Sequence, residues 1–142
     1  MAPDATTPLR ILVVDDNDDG REMLGTVLEM DGHTVTCMPD GPSGIAAALS
    51  FQPDVAILDI GMPGMNGYTV AETLRRDPET AGITLVALSG MGREEDRARA
   101  AAAGFDRHFT KPVDIRTLRE EATVVADKAD EIKAQYVKIF KV

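Results

Sequence analysis

Five side chains in this sequence carry the chemistry for handling an oxygen-rich anion: Asp15, Asp16, Asp59, Ser89 and Lys111. Three carboxylates gathered in one crevice repel one another unless a cation sits among them. An all-oxygen site that leaves water in the shell suits Mg²⁺, which takes one or two carboxylates together with phosphate oxygens. A lysine adds a point charge that pairs with an acid or a phosphate, and a serine hydroxyl can donate to a phosphoryl oxygen. The chemistry open to such a set is nucleophilic. The Asp59 carboxylate would attack phosphorus while the cation and Lys111 spread the charge. Each residue alone has a plainer reading. Asp15-Asp16 could be only an acidic helix start that complements the dipole. Asp59 could be a helix cap, Ser89 a loop hydroxyl and Lys111 a solvated charge.

Whether the five meet depends on the elements that carry them. Leu9 to Val14 is β-branched and apolar and reads as a first strand, ending in Asp15-Asp16-Asn17-Asp18-Asp19. A helix follows with Met23, Leu24, Val27, Leu28 and Met30 on its apolar side and Gly32 as its stop. His33 to Met38 is a second strand, and Asp40-Gly41-Pro42-Ser43 turns into a short helix through Ile45, Ala48 and Leu49. The apolar run Val55 to Leu58, within a strand at residues 54–58, is short enough for burial on both faces of a parallel sheet. It delivers Asp59 into a Gly/Pro loop. A helix from Tyr68 to Arg76, a strand from Ile83 to Leu88, an alanine-rich helix from Arg93 to Ala103 and a short strand from Phe105 to Thr110 follow. The last helix opens at Asp114, with Val113 and Leu118 placed for a hydrophobic staple. Strands alternating with helices imply βαβ units, right-handed crossovers and helices on both sheet faces. The expected fold is a single doubly wound α/β domain with a five-stranded parallel sheet. Its ligands would bind outside the carboxyl ends of the strands, where Asp15, Asp16, Asp59, Ser89 and Lys111 all fall.

Bulk properties agree. The chain has 142 residues, 44% hydrophobic and 27% charged, which suits one globular domain. A net charge of −9 argues against a nucleic-acid surface, which needs a Lys/Arg-rich face, and suits carboxylates that hold a cation. The lone Cys37 cannot form an internal disulfide and reads as a small core residue. The first eight residues have neither a basic region nor an apolar one, so they read as a disordered arm rather than a signal peptide. No run approaches a membrane span. A cytoplasmic protein is expected.

Taken together, Ile11-Leu-Val-Val-Asp15-Asp16-Asn17, Asp59-Ile-Gly-Met-Pro-Gly-Met-Asn-Gly67, Ala87-Leu-Ser89-Gly90 and Thr110-Lys111-Pro112 resemble the receiver domain of two-component response regulators. The resemblance covers residues 9–128, with four motifs in the family's order and spacing. It implies a flavodoxin-like (βα)5 fold. It also implies that Asp59 accepts a phosphoryl group from a phosphohistidine on a sensor histidine kinase or histidine phosphotransfer protein. By the same resemblance, Asp16, Asp59 and the backbone carbonyl of Gly61 would ligate Mg²⁺, with Asp15 helping through water. Lys111 would contact the phosphoryl group, Lys111-Pro112 would be a cis peptide, and Ser89 fills the switch-hydroxyl position. The output face would be the fourth helix, fifth strand and last helix.

One departure stands out. Many receivers carry a mobile aromatic three residues before the lysine; here that residue is His108. Its planar ring can still rotate, so His108 fills the switch-aromatic position, and it titrates near neutral pH; its plain expectation is a partly exposed surface histidine. Strand alternation should point Phe109 to the opposite face.

Beyond the receiver, Ile115, Leu118, Ala122, Val125, Ala129, Ile132, Tyr136 and Ile139 recur at spacings of 3 and 4, a heptad seam. Residues 129–142 would extend the last helix by roughly 21 Å at 1.5 Å per residue. That extension reads either as a frayed or folded-back tail, or as a dimerisation or docking helix. The expected function is a stand-alone phosphoacceptor switch that acts through a protein partner, without nucleic acid or membrane and without metabolic turnover. Two alternatives compete. An aspartate-nucleophile phosphohydrolase would want a second acid two residues after Asp59, where Gly61 stands. A receiver-like binding module blind to phosphate would not need the acid–serine–lysine set.

Overall fold

A computed structural model describes residues 8–90 and 94–110. Lys111, Pro112 and the helix expected from Asp114 with its heptad seam lie outside the described residues. So do residues 1–7 and the segment 91–93.

The described chain alternates strand and helix as the apolar pattern requires: β1 (Arg10–Val14), α1 (Asp18–Met30), β2 (Thr34–Met38), α2 (Gly41–Phe51), β3 (Val55–Asp59), α3 (Gly67–Arg76), β4 (Thr84–Ser89), α4 (Glu94–Ala103) and β5 (Arg107–Thr110). The five strands form one parallel sheet in the order β2-β1-β3-β4-β5. Strand direction is common to all, so every carboxyl end lies at one edge. The order reverses between β1 and β3, the place where doubly wound sheets open a crevice.

Alternating side chains divide the core between the two sheet faces. On one face Leu12, Val14, Ala56, Leu58, Leu85 and Ala87 pack with Ala47, Ala48, Val70, Ala71 and Leu74, so α2, α3 and α4 cover it. On the other, Ile11, Val13, Val55, Ile57, Val86 and Leu88 pack with Leu24 and Leu28 of α1. The continuous apolar runs follow from this burial on both faces. Among the described residues no helix is long and apolar enough to cross a membrane.

Two details differ from the sequence expectation. Only Leu24, Gly25 and Leu28 of α1 are buried, while Met23 and Met30 stand in solvent. The reason is close approach: a Cβ on Gly25 would lie 2.9 Å from the Cys37 Sγ, so the helix rests on β2 through its glycine. Cys37 in turn is half-buried, because β2 is an edge strand.

Far from the carboxyl edge, Arg75 of α3 holds the opposite end together. Its guanidinium donates to the carbonyls of Gly104, Ala81 and Ile83 and to Asp106 Oδ2 at 2.6–2.9 Å. Asp106 Oδ2 also accepts from the Leu85 amide at 2.9 Å. At this same edge Asp54 Oδ2 accepts from the Arg10 amide at 2.9 Å.

Candidate functional site

β1 runs straight into Asp15, and β3 ends on Asp59. Because β1 and β3 are neighbours in register, Val14 against Leu58, the two carboxylates leave the sheet side by side at its switch point. Asp15, Asp16 and Asp59 each bring an oxygen within 4.8 Å of the others. Asp15 and Asp59 are each 5% exposed, whereas Asp16 is open to solvent. Two carboxylates so far withdrawn from water, with a third beside them, are a costly arrangement without a cation.

None of these aspartates is a helix N-cap. The α1 N-cap is Asn17, whose side chain accepts from the Gly20 amide at 2.8 Å. The α3 N-cap is Asn66, which accepts from the Thr69 amide at 3.0 Å. At these two helices capping is carried out by asparagines. Asp15 Oδ1 accepts from the Asn17 amide at 2.9 Å, and Asp59 Oδ1 from the Gly61 amide at 3.1 Å. Each carboxylate is thus steadied by the backbone of the loop it opens. Arg21, which the sequence reading overlooked, donates to the Asp15 carbonyl at 2.7 Å and pairs with Asp18 at 2.6 Å. It brings a cation to the rim of the acidic cluster. Its signal in the sequence was weak: a basic residue in the second turn of a helix that opens with two aspartates.

The loop after Asp59 folds tightly back. The Ile60 amide donates to the Leu88 carbonyl at 2.8 Å, and the Gly67 amide to the Ile60 carbonyl at 3.1 Å. A Cβ on Gly67 would sit 2.6 Å from the Asp59 carbonyl oxygen, so only glycine lets α3 start here. Met62 is buried in the core and Met65 packs against it. Gly61 is exposed and supplies no acid two residues after Asp59.

Ser89 closes β4, one residue beyond Leu88, the register partner of Asp59. It shares a sheet face with Ala87, and Ala87 pairs with His108 of β5. The diagonal across that pair brings Ser89 Oγ to 2.8 Å from His108 Nε2. The expectation of a partly exposed surface histidine is therefore wrong: His108 is 4% exposed. The cause is its neighbour. α4 presents alanines, Ala98, Ala100 and Ala101, along the groove that His108 lines, and their small side chains leave room for a ring. Burial and the nearby Arg97 lower the ring's pKa from the ordinary histidine value, against an opposing pull from Asp96. Phe109 packs with the α1-side core, on the opposite face as alternation demands.

This sheet order and acid cluster meet known proteins at one place. A family model described as the response regulator receiver domain matches residues 11–123. The chain belongs to the response regulator receiver family. Such domains are signalling switches of two-component systems; they generally bind Mg²⁺ at an acidic aspartate cluster and interact with histidine kinases or phosphotransfer proteins. Among curated relatives, the receiver chain is 36% identical over 116 residues to Protein PilH of Pseudomonas aeruginosa, covering 82% of this chain and 96% of that one. It is 34% identical over 123 residues to the DNA-binding dual master transcriptional regulator RpaA of Synechocystis, covering 87% of this chain and 51% of RpaA. The chain thus spans about half of one relative and nearly all of another. Among solved structures, a CheY-like receiver domain protein from Methanospirillum hungatei aligns with a TM-score of 0.78 at 26% identity, covering 88% of this chain and 98% of that one. Chemotaxis protein CheY4 of Vibrio cholerae aligns with a TM-score of 0.77 at 26% identity, covering 80% and 95%.

Proposed function

We propose that this receiver is a phosphoacceptor in a two-component phosphorelay and that Asp59 is its nucleophile. The observation that carries the reading is the convergence of three carboxylates at the sheet's switch point, with both adjoining helices capped by other residues. A carboxylate oxygen of Asp59 attacks the phosphorus of a phosphohistidine on a sensor kinase or phosphotransfer protein. The new O–P bond forms as the N–P bond breaks, and the donor imidazole leaves with its electron pair.

The all-oxygen donor set fits a hard dication. Asp15, Asp16, Asp59 and the Gly61 carbonyl would hold Mg²⁺, which would supply charge neutralisation at the phosphoryl oxygens. The Gly61 amide orients the Asp59 carboxylate, Ser89 donates to a phosphoryl oxygen, and Lys111 pairs with another. Movement of Ser89 then biases the face made by α4, β5 and the last helix between two arrangements, through contacts that differ between the states. In the same reading the receiver spans residues 9–128 and acts in the cytoplasm on a protein partner. Residues 129–142 would offer a helix for docking or for a second copy of the chain. The exposed Gly61 supports a switch over a phosphohydrolase, since it offers no general acid where such an enzyme would use one.

Intact mass after incubation with Mg²⁺ and a small acyl phosphate tests this. Wild type should gain one phosphoryl group, and the gain should vanish with chelator and in Asp59→Asn. Equal gain by Asp59→Asn would contradict the assignment, as would no phosphoprotein and no released phosphate from the folded wild type.

A further inference from the structure

The Ser89–His108 hydrogen bond has a consequence for the phosphoryl group that an ordinary aromatic at position 108 could not produce. A serine hydroxyl has one proton to give and lone pairs to accept with. While Asp59 is unmodified, the bond can run either way: Ser89 O–H to Nε2, or Nε2–H to Ser89 Oγ. His108 Nδ1 is buried and has no hydrogen-bond partner among the described residues, so none of them fixes the tautomer from that side. A phosphoryl oxygen changes this, because it only accepts. Once Ser89 commits its proton there, Oγ can meet Nε2 only as an acceptor, and the ring must carry a proton on Nε2.

We propose that His108 and the phosphoryl group on Asp59 are coupled through Ser89, so that a proton on the ring favours the phosphorylated state and acidification strengthens it. This rests on the phosphoacceptor reading of Asp59 and extends it to regulation. Both the Nε2–H neutral ring and the imidazolium satisfy the phosphorylated arrangement. The imidazolium does so better, because the phosphoryl group brings about −1.5 to −2 charges to the far side of the same hydroxyl. Among the described residues, the charged groups around the ring are Glu94, Asp96 and Arg97 from α4, Arg107 beside it on β5 and Asp106 just before that strand. Burial and Arg97 keep the ring neutral at neutral pH before phosphorylation, so the added anion meets a group with a proton still to gain. By reciprocity, whatever phosphorylation does to proton affinity, the proton does to phosphoryl-state affinity.

Beryllofluoride with Mg²⁺, a tetrahedral stand-in for the phosphoryl group, provides the probe. Its affinity is measured from pH 7.5 to 5.5 for wild type and for His108→Phe, and the ratio cancels fluoride chemistry and the other titrating groups. The ratio should rise in favour of wild type by about fivefold or more on acidification. A pH-independent ratio overturns the coupling while leaving Asp59 as acceptor. Binding by neither protein overturns the acceptor reading and the coupling with it. Should His108→Phe fail to fold, ¹⁵N spectra of the wild-type ring decide alone. Beryllofluoride should place the proton on Nε2 and move the ring's titration midpoint upward; an unmoved tautomer and midpoint contradict the proposal.

Discussion

His33 shows how one buried side chain makes the fold sensitive to acid. It is 5% exposed, its Nδ1 accepts from the Leu9 amide at 3.1 Å, and its Nε2 lacks a partner among the described residues. Burial lowers its pKa from the ordinary value, outweighing the pull of Asp31. The unfolded chain therefore binds a proton that the folded chain refuses. Stability from this residue is fully present above about pH 6.5 and is lost as pH falls from there toward the lowered folded value. His108 is lowered too, so it adds in the same direction. Urea midpoints between pH 7.5 and 5.5 should fall more steeply for wild type than for His33→Gln, and equal slopes would contradict this role. Neither histidine's burial was legible in the sequence. A lone histidine in a strand does not announce its surroundings, and the space for His108 is set by alanines on another element.

At the scale of elements, the junctions matter more than the elements themselves. From α3, Arg75 satisfies three carbonyls and one carboxylate in the segments joining α3 to β4 and α4 to β5. Arg75→Ala would leave Asp106 without its ion partner in a place only 18% exposed at the side chain. It should cost about 2–4 kcal/mol, read as a lower urea midpoint, with little recovery in Arg75→Lys because a point charge cannot replace the fork. A loss under about 1 kcal/mol, the size of a surface ion pair, would show the clamp to be dispensable. Gly67→Ala should act at the other edge. The added Cβ meets the Asp59 carbonyl oxygen, a backbone atom that cannot rotate away. It should destabilise by about 1–3 kcal/mol and slow phosphorylation by an acyl phosphate; a variant as stable and as fast as wild type would contradict the packing. The strands were legible because burial on both faces leaves an unbroken apolar run. The seat of α1 was not, because Met23, Leu24, Val27, Leu28 and Met30 cover more than half its girth. The choice among them is made by a close contact at Gly25 with Cys37, and hydropathy does not register a glycine's fit.

Across the whole molecule, the parallel order β2-β1-β3-β4-β5 brings Asp15, Asp16, Asp59 and Ser89, from three separate sequence motifs, to one edge. That convergence was legible, since strand ends were readable and a parallel sheet puts them together. The pairing of Ser89 with His108 was not, since it depends on the register of β4 against β5. Holding three carboxylates together should make folding responsive to Mg²⁺. A hundredfold excess over its dissociation constant stabilises by about 2.7 kcal/mol, so thermal melts should rise in MgCl₂ relative to NaCl at equal ionic strength. Asp16→Asn should lose most of that rise, and an equal rise in both proteins would show that the cation binds elsewhere. The central claim, that Asp59 carries the phosphoryl group, is tested most directly without any mutation. Wild type is phosphorylated with Mg²⁺ and an acyl phosphate, reduced with borohydride to convert the aspartyl phosphate to homoserine, and mapped by peptide mass spectrometry. Homoserine at position 59 alone is the expected result; homoserine at position 15 or 16, or none in a phosphorylated sample, would contradict it.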